Sequence, residues 1–232
     1  RHSFPTRRSS DLNVVGGSTN TSSALHSFVG AGRCNLSFGC YSVVVGGGGV
    51  SVAPYYSPLG NRACGLASFV GGGSSNIALG QSNVIVGGGG RNPAIGYGAN
   101  QTDCNYSIIV GGFSNRANSC GQSNPMGFAN AGGFVGGGIG NTACGSGSVV
   151  VGGVPTVVSP TPSTNNTASG LSSFIGSGSK NQASATGSVV VGGGAVGGAV
   201  TGYTYGNTAS GSLSFVGAGT KNIASGNQSV LI

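Results

Sequence analysis

Short apolar runs recur along the chain, each opened by a small polar residue and closed by glycine. SFVG opens at Ser27, Ser68 and Ser214, with SFIG at Ser173; SVVVGG opens at Ser42, Ser148 and Ser188; NVIVGG begins at Asn83 and SIIVGG at Ser107. Aligned on the residue before each run, the copies start at Asn13, Ser27, Ser42, Ser68, Asn83, Ser107, Gly133, Ser148, Ser173, Ser188, Ser214 and Ser229, in steps of 14–15 or about 25 residues. Between runs lies a small, polar second phrase of the form N-x-A-S-G, as in NRACG from Asn61 and NTACG from Asn141. A unit this short cannot hold a helix pair, and glycine at this density penalises helix by roughly 1 kcal/mol per residue. Val and Ile triplets favour strand, and GG, GN and SG dipeptides favour turns. Each unit therefore predicts a strand, a glycine turn, a second strand with small side chains, and another turn.

Repeats of this kind stack, each copy hydrogen-bonding to the next at about 4.8 Å. The expected fold is all-β, a parallel β-solenoid. Weaker copies inside the long steps, near Ser57, from Asn92, from Ser123, from Ser163 and from Tyr203, raise the count to about sixteen rungs. A higher period of 39–41 residues links Ser148, Ser188 and Ser229. In a run such as Val43-Val44-Val45 the middle side chain faces opposite to its neighbours. The interior must be thin where Ala63, Ala143, Ala209 and Ala224 stand across it. This reading places the middle residues Val44, Ile85, Ile109, Val150 and Val190 on an outward apolar ridge, whose burial at about 1.5–3 kcal/mol per residue favours association of several copies.

Composition sharpens this picture. Glycine supplies 50 of 232 residues, and charged residues only 5%, against roughly 7% and 25% in ordinary domains. No G-X-Y period exists, so collagen is excluded. Recurrent Val and Ile separate the chain from flexible Gly/Ser linkers. The net charge is +7, but the positive residues are spaced singly along the chain instead of clustering with aromatics, so no nucleic-acid partner is expected. No apolar stretch is long enough for a membrane helix. The opening RHSFPTRRSSDL does not share the repeat and is similar to a translated sequencing adapter. The chain is accordingly divided into a non-native segment, 1–12, and one repeat domain, 13–232, expected to be a fragment of something longer.

The phrase SFVGAGTKNIASGNQS at Ser214–Ser229, with NPAIGYG at Asn92–Gly98 and SVVVGG at Ser188–Gly193, resembles the head repeats of YadA-like trimeric autotransporter adhesins. The resemblance implies a left-handed β-roll, a homotrimer, and an extracellular head held on the outer membrane through segments not present here. Its partners would be host matrix proteins or glycan surfaces. Stalk heptads, neck and anchor are absent from this sequence, and the family's heads usually lack cysteine. Similar glycine-rich stretches occur in phage and viral tail fibres, which leaves a fibre shaft as the alternative.

Little points to chemistry. Outside the first segment there is one acid, Asp103, and one histidine, His26, about six rungs apart by this count. No carboxylate pair and no C-x-x-C motif exists, so no enzyme, cofactor or metal is expected. Of the cysteines, Cys64, Cys104 and Cys144 recur every 40 residues and read as one structural column. Cys104 with Cys120, and Cys34 with Cys40, are the candidate disulfides, the first because stacked rungs bring Cα atoms to about 5 Å. Glycosylation sequons stand at Asn20, Asn35, Asn100, Asn105, Asn165 and Asn227. Tyr55, Tyr56, Tyr97, Tyr203 and Tyr205, in the irregular long steps, are the candidate surface contacts, since loops on a rigid scaffold carry recognition.

Overall fold

The computed structural model describes residues 13–49, 60–90, 98–117, 132–153, 165–194 and 206–232. Every described strand is two residues long, and the strands form two sheets, one of twelve strands and one of eleven. The chain alternates between the sheets, and each strand pairs in parallel with the strand two elements away. The first sheet collects the apolar runs, such as Phe28–Val29 and Val43–Val44; the second collects the small phrases, such as Leu36–Ser37 and Arg62–Ala63. This is a β-solenoid in which one rung is one strand from each sheet.

The long steps do not hide rungs. Across the 26-residue gap from Val44 to Val70 the two strands pair directly, Val43 with Phe69 and Val44 with Val70. The Val43 N–H donates to the Ser68 carbonyl at 2.8 Å. The same holds across the other long steps, where Val84 N–H reaches Ser107 O, Ile108 N–H reaches Gly133 O, Val149 N–H reaches Ser173 O and Val189 N–H reaches Ser214 O. The count of sixteen is therefore corrected to eleven full rungs and a final strand among the described residues. Four of the five weaker copies combined an insertion with the second strand of the same rung, as Asn166-Thr167-Ala168 and Asn207-Thr208-Ala209, ordinary members of the second sheet, show; the copy from Ser123 lies outside the described residues.

The core is one column of β-branched residues facing one column of small ones. Val29, Val44, Val70, Ile85, Ile109, Val135, Val150, Ile175, Val190 and Val216 are fully buried, and so are Ala63, Ala78, Ala117, Ala143, Ala168, Ala183 and Ala209 across from them. Val44, Ile85, Ile109, Val150 and Val190 thus lie inside the roll, and their assignment to an outward ridge is overturned. The reason is size. In five of the twelve first-sheet strands the residue before the central one is Phe, which cannot fit opposite alanine; Phe must face out, so the middle residue faces in, and every rung shares that register.

Asparagine closes the roll along one edge. Eleven of them, from Asn20 through Asn35, Asn61, Asn76 and onward to Asn222, open the second strand of successive rungs. Asn35 shows the pattern: its Nδ2 donates to Ala31 O at 2.8 Å within the rung and to Gly47 O at 2.9 Å in the next. Its Oδ1 accepts from the Asn61 N–H at 3.0 Å. Side-chain amides are thereby bonded on both ends, as buried polar groups must be. The glycines these amides reach in the next rung have no room for a side chain, whereas Gly16, Gly72 and Gly137, reached within the rung, have open space. Gly32 has φ +94°, and a Cβ there would lie 1.9 Å from the Gly47 carbonyl oxygen.

Candidate functional site

With the interior filled, interaction must come from the outer faces and the two edges. On the outer side of the first sheet stand the residues flanking the buried middle one; in the Phe rungs the trailing residue is glycine, and a Cβ at Gly30 or Gly71 would lie 2.3 Å from the carbonyl oxygen of Val45 or Val86 in the next rung. In the leading column stand Phe28, Val43, Phe69, Val84, Ile108, Phe134, Val149, Phe174, Val189, Phe215 and Val230. The trailing column reads Gly30, Val45, Gly71, Val86, Val110, Gly136, Val151, Gly176, Val191, Gly217 and Ile232. The two columns are coupled: every Phe rung carries Gly behind it, and every Val or Ile rung carries Val or Ile. The Phe ring leans along the strand over its glycine; Phe69 Cε1 lies 3.2 Å from where a Gly71 Cβ would stand. From Phe28 onward this face holds no polar side chain, and Val45, Val86, Val151 and Val191 remain 46–50% exposed.

The outer face of the second sheet differs in chemistry. Its leading column runs Thr21, Leu36, Arg62, Ile77, Gln101, Arg116, Thr142, Thr167, Gln182, Thr208 and Ile223. Arg116 donates to Gln101 Oε1 at 3.5 Å, and the Gln101 amide donates to the Asp103 carboxylate. The faces are thus unequal, one wholly apolar and one mixed and polar.

The insertions are placed with equal regularity. Residues 50–59, 91–97, 154–164 and 195–205 all depart after the glycine turn of the first strand and return before the asparagine that opens the second. The residues that flank them lie on one edge of the roll. Each insertion belongs to a Val rung, those of Val43, Val84, Val149 and Val189; no Phe rung carries one. Inserted rungs on this edge are never adjacent, so their anchors lie about 10 Å apart or more, two or three rungs at the strand spacing. The fifth insertion, 118–131, departs from the opposite edge, between Ala117 and Gly132. Tyr55, Tyr56, Tyr97, Tyr203 and Tyr205 fall within the insertions, outside the described residues.

The proposed disulfide between Cys34 and Cys40 is not formed. Cys34 sits in the first turn and Cys40 in the opposite one, with the extended strand Leu36–Ser37 between them, and both are free thiols. Cys120 lies outside the described residues, so the pairing with Cys104 is not on view. The register also divides the supposed cysteine column. Because Ala63 pairs with Ala78, Ala78 with Thr102 and Ala117 with both Thr102 and Ala143, Cys64 and Cys144 align with Asp103, whereas Cys104 takes the next slot, that of Gly65 and Gly145. His26 stacks on Tyr41 with ring centroids 4.9 Å apart. It is separated from Asp103 by about four rungs instead of six. Of the sequons, Asn35 and Asn100 are ladder residues with no exposed surface.

The asparagine column and the coupled Phe–Gly pattern are the features sequence reasoning passed over. Both had signals. In every uninterrupted rung Asn follows the buried middle residue by six positions, as Val29 to Asn35 and Ile175 to Asn181. The alternation of FVG or FIG with three-residue Val/Ile runs is legible in the letters.

Among the described residues no group of three His, Cys, Asp or Glu could hold a metal ion, and no helix is long and apolar enough to cross a membrane. What the fold and surfaces define is a repetitive parallel β-solenoid, a rigid structural scaffold. No protein-family model matches the chain, and no curated protein shows significant similarity to it.

Proposed function

We propose that the chain is a non-catalytic extracellular rod that works as a homotrimer, an adhesin head of the YadA-like kind, and contacts a protein or glycan surface through its insertions. The observation that carries this reading is the departure of four insertions from one edge, on the rungs of Val43, Val84, Val149 and Val189, while the stack runs on unbroken. Segments carrying the tyrosines Tyr55, Tyr56, Tyr97, Tyr203 and Tyr205, anchored at intervals on a regular stack, suit repeated weak contacts, whose avidity grows with the number engaged. Tyrosine offers large contact area at low entropic cost.

The unbroken ladder favours one other reading, a shaft of a phage or viral fibre whose recognition lies elsewhere. Solid-phase binding to immobilised matrix proteins and glycans separates the two. The adhesin reading expects binding by the full chain and its loss on excision of residues 49–59 and 195–205. A spacer binds nothing before or after excision.

A further inference from the structure

The fold gathers the positive charges that the sequence scatters. Residues 13–232 hold six Lys and Arg; Arg91 opens an insertion, and Arg33, Arg62, Arg116, Lys180 and Lys221 are described. Arg33, Lys180 and Lys221 stand in the turns of the insertion edge, four or five residues after the buried Val29, Ile175 and Val216. Arg62 and Arg116 directly follow the ladder residues Asn61 and Asn115, so they occupy the leading column of the second sheet, the one beside that edge. Among the described residues no Lys or Arg stands on the first sheet, in the trailing column of the second sheet or in the turns of the opposite edge. Asp103, the one acid of residues 13–232, lies in that trailing column. Charges and insertions also meet. The Lys180 N–H donates to Oδ1 of Asn165, which closes the insertion 154–164, at 2.9 Å. Gly206, which closes 195–205, packs so closely on the Lys180 carbonyl that a Cβ would lie 1.8 Å from its oxygen. Gly60, which closes 50–59, sits in the same way on Cys34, the neighbour of Arg33.

Resting on the reading of this edge as the contact side, we infer that it binds a linear acidic polysaccharide laid along the rod, and that the row of cations holds its carboxylates or sulfates. From Arg33 to Lys221 the row runs nine rungs, about 43 Å, with gaps of one to three rungs, about 5–14 Å. That density decides the ligand. Double-stranded nucleic acid would set about 25 phosphate charges along the same length, far more than the cations present. A chain of sugars with an acid on every ring or every second ring is much sparser and matches the row. Lys and Arg make charge-assisted hydrogen bonds to such anions, and a one-sided row steers an anionic chain toward this edge before contact. The leading column supplies what the rest of a glycan needs. Around its arginines it presents Gln101, Thr142, Thr167, Gln182 and Thr208, amides and hydroxyls that can both donate to and accept from ring hydroxyls. The row follows the stack, which suits an extended chain and not a folded acidic protein.

The test is biolayer interferometry of the full chain on immobilised heparin and alginate, one sulfated and one carboxylated, with dextran and duplex DNA alongside and circular dichroism as a control for folding. Binding to at least one acidic glycan and none to dextran is expected, weakened at least tenfold between about 0.05 and 0.5 M salt as screening tightens. Arg33→Gln, Lys180→Gln and Lys221→Gln combined should weaken it at least tenfold, whereas Arg33→Lys, Lys180→Arg and Lys221→Arg should retain it. Adding Leu25→Lys, Leu66→Lys and Ser212→Lys to the glutamine set restores the net charge on the opposite edge and should not restore binding. Undiminished binding by the glutamine set, or its rescue by the opposite-edge lysines, overturns the row. So does loss of binding when Arg1→Gln, Arg7→Gln and Arg8→Gln are made in the leading segment. Preference for duplex DNA over both acidic glycans, or equal binding to dextran, overturns the ligand class. A chain that ignores heparin and alginate yet binds immobilised matrix proteins through its insertions overturns this inference and leaves the adhesin reading standing; one that binds none of these surfaces overturns both.

Discussion

Replacing Asn181 by alanine tests whether the asparagine column holds the edge of the roll. The side chain is fully buried. Its Nδ2 donates to Ser177 O at 2.8 Å and to Gly193 O at 3.1 Å, and its Oδ1 accepts from the Asn207 N–H at 2.8 Å. Alanine removes all three bonds, at about 1 kcal/mol each, and takes from the buried Asn207 N–H its acceptor. The local cost is about 3 kcal/mol. Repeat arrays unfold by segments, so a single melting temperature is a poor gauge. Hydrogen exchange read by mass spectrometry on peptides spanning 177–194 and 206–219 reports local opening directly, and 3 kcal/mol corresponds to exchange faster by about a hundredfold. Asn227→Ala is the comparison: that side chain is exposed and accepts one bond, from the Ser212 N–H at 3.2 Å, so its amides should change less than about threefold. Equal effects at the two sites, or less than a tenfold change at Asn181, would refute the role given to the ladder.

Val150→Ala should destabilise the roll by about 2 kcal/mol in chemical denaturation, through the cavity it leaves, whereas Val151→Ala, one residue on and facing outward, should cost the lone chain under about 0.5 kcal/mol; the reverse order would restore the outward ridge. Excising residues 49–59 joins Gly48 to Gly60 and restores a fifteen-residue step, so the far-ultraviolet spectrum and the rungs on either side should survive; collapse of the strand Phe69–Val70 would mean the insertion is a rung after all. Gly32→Ala should lower stability by several kcal/mol or abolish soluble expression, since neither its positive φ nor the Gly47 carbonyl leaves room for the methyl. Maleimide labelling mapped by mass spectrometry should modify Cys40 in the native chain and spare buried Cys144 until denaturant is added, and a reductant should not alter stability through Cys34 and Cys40.

Strand type, parallel stacking and the two-phrase unit were all readable, because Val-Val-Val and N-x-A-S-G impose strand and turn locally with no tertiary help. Facing was harder. A run apolar at three consecutive positions carries no alternation, and Val43-Val44-Val45 alone permits either inside. The answer lay in the neighbouring rungs, where Phe28 and Phe69 are too large for an interior lined by Ser37 and Ala63. The rung count failed for another reason: length was read as structure, though parallel pairing needs only that strands return to one register, however long the excursion between them. The cysteine column failed by a single residue, since a 40-residue recurrence says nothing about an insertion of uneven length lying between two of its members. Surface recognition stayed least legible, because its proposed residues sit where the repeat is broken.

Because strands on either side of an insertion bond to each other, this molecule uncouples how tall it stands from how many amino acids it spends. Segments of ten or so residues can be lengthened, traded or lost at five places without moving the rest of the stack by one strand spacing. Such a body behaves as a ruler with interchangeable flags: selection can rewrite the flags freely while the ruler keeps its graduations.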